Sequence, residues 1–222
     1  MDTTLASATV FIVDDDPAMR DSMSFLVRSV GMAVETYSGA QEFLDAYDPQ
    51  RPGCLVFDVR MPGMSGLELQ EFLSERGIRS PVVMVTGYGD VPMAVRALKG
   101  GAVDFLEKPF TDQELLETIN EATDRDHRQR TKEAELSKVK ERISRLTPRE
   151  REVMDLVLDG KPNKVIAAEL GLSPKTVEVH RSRVMAKMQV GSLAVLLQTV
   201  LSYRMSGSTP DGPDAPAPGS PQ

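Results

Sequence analysis

The sequence predicts an α/β fold: a doubly wound, five-stranded parallel sheet, followed by a smaller all-helical unit. Three observations carry this. Five short apolar runs alternate with amphipathic segments across residues 1–120, a pattern of βαβ crossovers. Residues 121–146 are polar, charged and free of proline and glycine, as in a helical linker. Beyond Thr147, helix starts and stops recur with no strand-like run between them.

Taken in order, TVFIVD (9–14) reads as the first strand, and Asp16-Pro17 as an N-cap and first-turn proline opening a helix over 17–30. VETY (34–37), CLVFDV (54–59), VVMVTG (82–87) and DFLEKP (104–109) are the remaining strands. Helices fall at 39–47, 66–75 and 90–99, and another begins at 112. SGAQ (38–41) and TDQE (111–114) read as capping boxes. In the stretch from Glu121 to Leu146, Leu136, Val139, Ile143 and Leu146 form a short heptad stripe. It suits pairing with a second copy or packing on the chain's own domain equally well. TPRE (147–150) is a further capping box, and helical segments follow at 162–170, 174–188 and 192–204. Gly171 ends the first of these and Ser173-Pro174 opens the second. Residues 207–222 are rich in proline, glycine and serine and are expected to be a disordered tail. The resulting domains are 1–122, a linker over 123–146, a helical domain over 147–206, and the tail.

Net charge divides the same way. Residues 1–120 carry 9 basic and 19 acidic side chains, whereas residues 147–206 carry 9 basic and 6 acidic. An acidic first half and a basic second half suggest different partners, the second a polyanion. The longest apolar run, LAVLLQTVL, is too short to span a bilayer and is interrupted by Gln198. The N-terminus has no basic segment ahead of an apolar one, so no secretory signal is expected. A single cysteine, Cys54, permits no intramolecular disulfide and points to a reducing compartment, the cytoplasm. No membrane association is expected.

Strands of a parallel sheet all end at one edge, where ligands of doubly wound sheets bind. Asp14 and Asp15 end the first strand, Asp58 the third, Thr86 the fourth and Lys108 the fifth. Carboxylates gathered there need a cation, and an all-oxygen site suits Mg²⁺. A carboxylate facing a divalent ion, a lysine and a hydroxyl is arranged to accept a phosphoryl group.

FIVDDDPAMRDSM, CLVFDVRMPGMSGLEL and VVMVTGYGDVPMAVRALKGGAVDFLEKPF resemble the receiver domain of two-component response regulators, a CheY-like fold of strand order 2-1-3-4-5. The resemblance implies that Asp58 is the phosphoacceptor. It also implies that Asp14, Asp15, Asp58 and the Arg60 backbone carbonyl hold Mg²⁺. Thr86 and Lys108 would contact the phosphoryl group, and Thr86 with Phe105 would form the switch. A cis Lys108-Pro109 peptide is implied as well. Tyr88, like Arg60, occupies a position that influences how fast the acyl phosphate hydrolyses in receivers. Asp16 is the helix cap rather than a third ligand.

Advancing 100° per residue from Val177 sorts helix 174–188 into faces. Val177, Val184 and Met188 lie on a core face, with His180 and Met185 at its flanks. Lys175, Val179, Ser182 and Ala186 lie opposite, beside Glu178 and Arg183. Small residues at the centre and charges at the edges suit a helix entering a major groove. With His127 the only other histidine, a zinc site is unsupported.

LTPREREVMDLVLDGKPNKVIAAELGLSPKTVEVHRSRVMAKMQVGSLAVLL resembles the LuxR-type helix-turn-helix of the NarL/FixJ family. This implies a recognition helix at 174–188 and a dimer-forming helix at 192–204. Glu178, Val179 and Ser182 would meet base edges. Lys164, Lys175, Arg181 and Arg183 would mainly meet phosphates, with Thr176 also in contact. Implied partners are a sensor histidine kinase, promoter DNA, a second copy on phosphorylation, and RNA polymerase as a further candidate.

The expected function is a phosphorylation-switched transcription regulator, not a metabolic enzyme. A haloacid-dehalogenase-like phosphatase also uses a strand-end aspartate with Mg²⁺. Its two carboxylates, however, lie together in a D-x-D on one strand, unlike the distant Asp58. A phosphorylation-independent binder would not need Lys108 and the acidic edge.

Overall fold

In the computed structural model, which describes residues 8–87 and 91–206, each apolar run of the first half forms a parallel strand. The strands are β1 (Thr9–Val13), β2 (Ala33–Tyr37), β3 (Gly53–Asp58), β4 (Val82–Thr86) and β5 (Asp104–Glu107). They alternate with α1 (Pro17–Ser29), α2 (Ala40–Ala46), α3 (Gly66–Glu75), α4 (Val91–Lys99) and α5 (Asp112–Ser144). The sheet order is β2-β1-β3-β4-β5, all neighbours parallel, as expected. The tail over 207–222 and Tyr88 lie outside the described residues. The chain divides into two compact units, Met1–Thr131 and Lys132–Gln222.

Within the first unit, strand alternation puts successive side chains on opposite faces. Phe11, Val13, Leu55, Phe57 and Met84 join Phe43 of α2, Leu69 and Leu73 of α3, and Ala97 of α4. Val10, Ile12, Cys54, Val56, Val83 and Val85 join Met23 and Val27 of α1 and Leu115 and Ile119 of α5. Because β1, β3 and β4 are buried on both faces, they read as unbroken apolar runs.

Most helix starts are where the sequence puts them. Asp16 caps α1 by accepting from the Ala18 N–H, with Pro17 in the first turn. Thr111 and Glu114 form a reciprocal box at α5, with Thr111 N–H to Glu114 Oε2 at 2.7 Å and Glu114 N–H to Thr111 Oγ1 at 3.2 Å. The SGAQ box is a correction. Gly39 is the N-cap of α2 and makes no side-chain cap bond, and it is Glu42, not Gln41, that accepts from the Ser38 N–H and hydroxyl at 2.7 Å each. Gln41 instead donates to Asp45 one turn on, at 2.8 Å. Both bonds end on one charged oxygen, Glu42 Oε2, and a carboxylate oxygen is a stronger acceptor than the neutral amide oxygen of Gln41.

The sheet's opposite edge is clamped from α5. Asp126 is 5% exposed, accepts the Gly53 N–H at 2.9 Å and pairs with Arg130 at 2.8 Å. Arg130 also donates to the carbonyls of Pro49, Gln50 and Arg51. These two residues therefore fix the turn that launches β3.

The second unit contains the C-terminal part of α5 with α6 (Pro148–Leu158), α7 (Asn163–Leu170), α8 (Pro174–Met188) and α9 (Leu193–Met205). Its core joins Val153, Met154, Ile166, Val177, Val184, Met188, Leu196 and Val200. Ile143 and Leu146 are buried in the same core, and Leu136 and Val139 pack against it. Of the two readings of the heptad stripe, packing on the chain's own domain is the one observed. No single helix among the described residues is long and apolar enough to cross a membrane.

Thr147 and Glu150 cap α6 reciprocally, and Glu150, only 2% exposed, also accepts from Lys187 Nζ at 2.6 Å. The Lys187 hydrogen bond holds the Glu150 carboxyl below the usual carboxylate range, against the opposing effect of burial. A depressed folded value means that the contribution is present above the unfolded carboxylate value, about 4.3, and is lost as pH falls through the folded one. Glu150→Gln is therefore expected to destabilise this unit by about 1 kcal/mol at neutral pH. The gap should close in acid. Urea midpoints of the second unit's transition at about pH 7 and about pH 3 check this, and a pH-independent gap would contradict it.

Candidate functional site

Strand order decides which carboxyl ends become neighbours. With β1 flanked by β2 and β3, the order reverses there, and the crevice beyond β1 and β3 is the ligand position of doubly wound sheets. Asp14 follows β1 directly, and its N–H is tied to the Tyr37 carbonyl at 3.2 Å. Asp58 is the last residue of β3 and Thr86 the last of β4. Lys108 follows β5 and donates its N–H to the Thr86 carbonyl at 2.7 Å. The Lys108-Pro109 peptide is cis.

Lys108 draws the site together. Its Nζ donates to Asp14 Oδ2 and to Asp58 Oδ1, both at 2.7 Å, spanning β5 to β1 and β3. Asp14 is 1% exposed and Asp58 6%. Each carboxylate's other oxygen takes a backbone N–H: Arg60 to Asp58 Oδ2 at 2.6 Å, and Asp16 to Asp14 Oδ1 at 2.9 Å. Burial pushes the Asp58 carboxyl above the ordinary aspartate range, with the Lys108 hydrogen bond pulling the other way. Burial works to lower the Lys108 ammonium, but its bonds to Asp14 and Asp58 outweigh this and hold it above the ordinary lysine range.

Two buried carboxylates thus share one ammonium. Such a site is short of positive charge, and the atoms it offers a cation are hard oxygens, which fits Mg²⁺. Among the described residues no three His, Cys, Asp or Glu side chains stand grouped as a metal cluster. Asp14 and Asp58 meet at Lys108, while Asp15 is exposed and outside that network. Thr86 is fully buried, and Phe105 is half-buried against the α2–α4 side of the core.

Two further residues shape this edge. Arg20 of α1 donates to the Asp14 carbonyl at 2.6 Å, fixing the turn between β1 and α1. Gly66 opens α3 so close to β3 that a Cβ there would stand 2.3 Å from the Asp58 carbonyl oxygen. The glycine is visible in the PGMSG stretch, but the approach itself is a tertiary fact.

In the second unit, α8 presents the face expected from its helical wheel. Val177, Val184 and Met188 are buried, and His180 is half-buried. Lys175, Glu178, Val179, Ser182 and Arg183 are exposed, as is Lys164 on α7. Lys175 and Glu178 pair loosely at 3.4 Å. Arg181 is half-buried and donates to Asn163 Oδ1 at 2.8 Å, so it joins α8 to the start of α7. Thr176 is half-buried within the α8 cap, its Oγ1 lying 2.8 Å from Ser173 Oγ. The structure therefore separates these residues into an outward-facing set and two engaged in holding the motif.

Residues 10–120 match the response regulator receiver domain family, and residues 144–200 match the luxR family of bacterial regulatory proteins. The chain is 49% identical over 191 residues to Nodulation protein W of Bradyrhizobium diazoefficiens, covering 86% of this chain and 84% of that protein. It is 47% identical over 195 residues to the transcriptional regulatory protein FixJ of Azorhizobium caulinodans, covering 88% and 92%. Among solved structures, response regulator StyR is similar with a TM-score of 0.83 and 45% identity, covering 89% of this chain and all of that one.

Proposed function

Because the chain belongs to the FixJ-type response regulators, which join a receiver domain to a luxR-type DNA-binding domain, we propose that phosphorylation of Asp58 controls its binding to promoter DNA. As a two-component transcriptional regulator it is not a metabolic enzyme. The single observation that carries the reading is the Lys108 bridge between Asp14 and Asp58 at the carboxyl edge of the sheet.

The partner is a sensor histidine kinase carrying a phosphohistidine. An Asp58 carboxylate oxygen attacks the phosphorus, the P–N bond breaks with its electron pair leaving on the imidazole nitrogen, and an acyl phosphate forms on Asp58. Burial favours the protonated, non-nucleophilic carboxyl, and Lys108 opposes this by neutralising Oδ1. The Arg60 N–H holds Oδ2, which orients the carboxylate. Mg²⁺, held by Asp14, Asp15, Asp58 and the Arg60 backbone carbonyl, would supply charge neutralisation on the transferring oxygens. Lys108 adds a fixed positive charge beside them. Slow loss of the phosphoryl group to water resets the site.

Thr86 then turns toward the phosphoryl oxygens and Phe105 follows it inward. The phosphoryl group shifts the equilibrium only by its unequal contacts with the two states. Two receivers pair and bring two α8 helices to half-sites. Glu178, Val179 and Ser182 meet base edges, Glu178 accepting from a cytosine amino group. Lys164, Lys175 and Arg183 meet phosphates, while Arg181 and Thr176 contribute from positions that also brace the motif. RNA polymerase is a further partner, and the cytoplasm is the compartment of this activity. The domains that serve it are 1–122, the 123–146 linker, 147–206 and the tail over 207–222.

The test is label transfer from a small phosphodonor, read alongside sedimentation and DNA binding of the full chain. Incorporation, pairing and tighter DNA binding are expected with Mg²⁺ and none of them after chelation. Equal incorporation with and without chelator would contradict the metal requirement, and DNA affinity unmoved by incorporation would contradict the switch.

A further inference from the structure

At the amino ends of β4 and β5, on the edge of the sheet opposite Asp58, lies a cavity of about 290 Å³. Pro81 and Val82 introduce β4 there, and the Gly100–Gly101 turn leads from α4 toward β5. The receiver half is strongly acidic, with 19 acidic against 9 basic side chains over residues 1–120. Among the described residues no Asp or Glu lines this cavity, yet two arginines do, Arg79 and Arg125. Neither guanidinium has a hydrogen-bond or ion-pair partner among the described residues, whereas Arg51, Arg96 and Arg130 of the same unit are all paired with carboxylates. The Ser74 hydroxyl lines the same wall, and Leu73, Ile78 and Pro81 give it an apolar side.

We propose that this cavity binds a small phosphorylated molecule, its phosphate held by Arg79 and Arg125 and its body lying on Leu73, Ile78 and Pro81. Two guanidiniums present paired N–H donors in the planar fork that matches phosphate oxygens, and a dianion answers two such charges better than a monocarboxylate does. A concave, partly open cavity of this size admits a compact ligand, whereas a duplex backbone needs a flat, extended face. Its place on the edge away from Lys108, Asp14 and Asp58 makes it independent of phosphoryl acceptance.

Titration of the full chain with phenyl phosphate and with pyrophosphate, followed by backbone amide shifts, tests the assignment. Saturable shifts are expected at Ser74, Gly100 and Gly101, with phenyl phosphate binding more tightly because its ring covers the apolar wall. Arg79→Ala and Arg125→Ala are exposed changes that leave the core intact, and each is expected to weaken binding about tenfold, one lost charged hydrogen-bond pair. Arg183→Ala on α8 is expected to leave this titration unchanged. The proposal is overturned if neither probe saturates at millimolar concentration. Shifts confined to the Asp58 edge or to α8, or affinity that survives both arginine substitutions, would overturn it as well.

Discussion

Phosphoryl incorporation from any donor is expected to fall to background in Asp58→Asn, and the phosphodonor should no longer tighten DNA binding. The amide keeps the shape of the side chain but carries no negative charge and is not a nucleophile. Folding should survive. Asp14 and Asp58 are two buried carboxylates sharing Lys108, so removing one charge leaves an intact Lys108–Asp14 pair. Stability is expected to be unchanged or higher by about 1 kcal/mol. Label transfer and denaturant unfolding on the same preparation separate the two effects. Full incorporation would move the phosphoacceptor elsewhere, and a large loss of stability would mean that Lys108 depends on Asp58 for its place.

The largest expected stability effect lies at the other edge. Gly53 begins β3 with φ at +148°, and a Cβ there would stand 1.8 Å from the Thr9 carbonyl oxygen. The atom it meets belongs to the neighbouring strand's backbone, in register with Gly53, so no side chain can swing away. Backbone strain alone costs about 1–3 kcal/mol, and the overlap adds a forced shift of β1 against β3. Gly53→Ala is expected to cost about 4 kcal/mol or more, a fall of roughly 15 °C in the receiver transition. Gly63 is the contrast: φ is +80° but a Cβ meets nothing within 4 Å. There, alanine should cost only about 1 kcal/mol. Calorimetry of the full chain checks both, and similar midpoints for the two variants would show that the β1–β3 approach is soft.

The two edges are linked through β3. Asp126 and Arg130 fix its entry by holding Gly53 and the carbonyls of residues 49–51. Gly66 lets α3 pack against its exit. Asp58 is therefore held at both ends of its strand, which is how a buried carboxylate is kept at a fixed distance from a lysine that follows β5.

Much of this molecule is determined locally. Alternation of apolar runs with amphipathic segments dictates a parallel sheet, and a parallel sheet brings the strand-end residues Asp14, Asp58, Thr86 and Lys108 to one edge. Asp16-Pro17, the TDQE and TPRE boxes, Gly171 and Ser173-Pro174 set helix ends through bonds made within a turn, so reading them needs nothing distant. The face of α8 follows from helical period alone. Other features needed the tertiary structure. The heptad stripe shows that residues 136–146 have something to bury, but only the packed second unit supplies its cover. Asp126 and Arg130 look like two more charges in a charged helix, and their partners lie more than 70 residues away. Arg79 and Arg125 lie on separate elements, and only the fold puts them on one cavity. The reason is the same in each case. Dihedral preference and periodicity act over a few residues, whereas which groups meet across the chain is chosen by the packing of the whole domain.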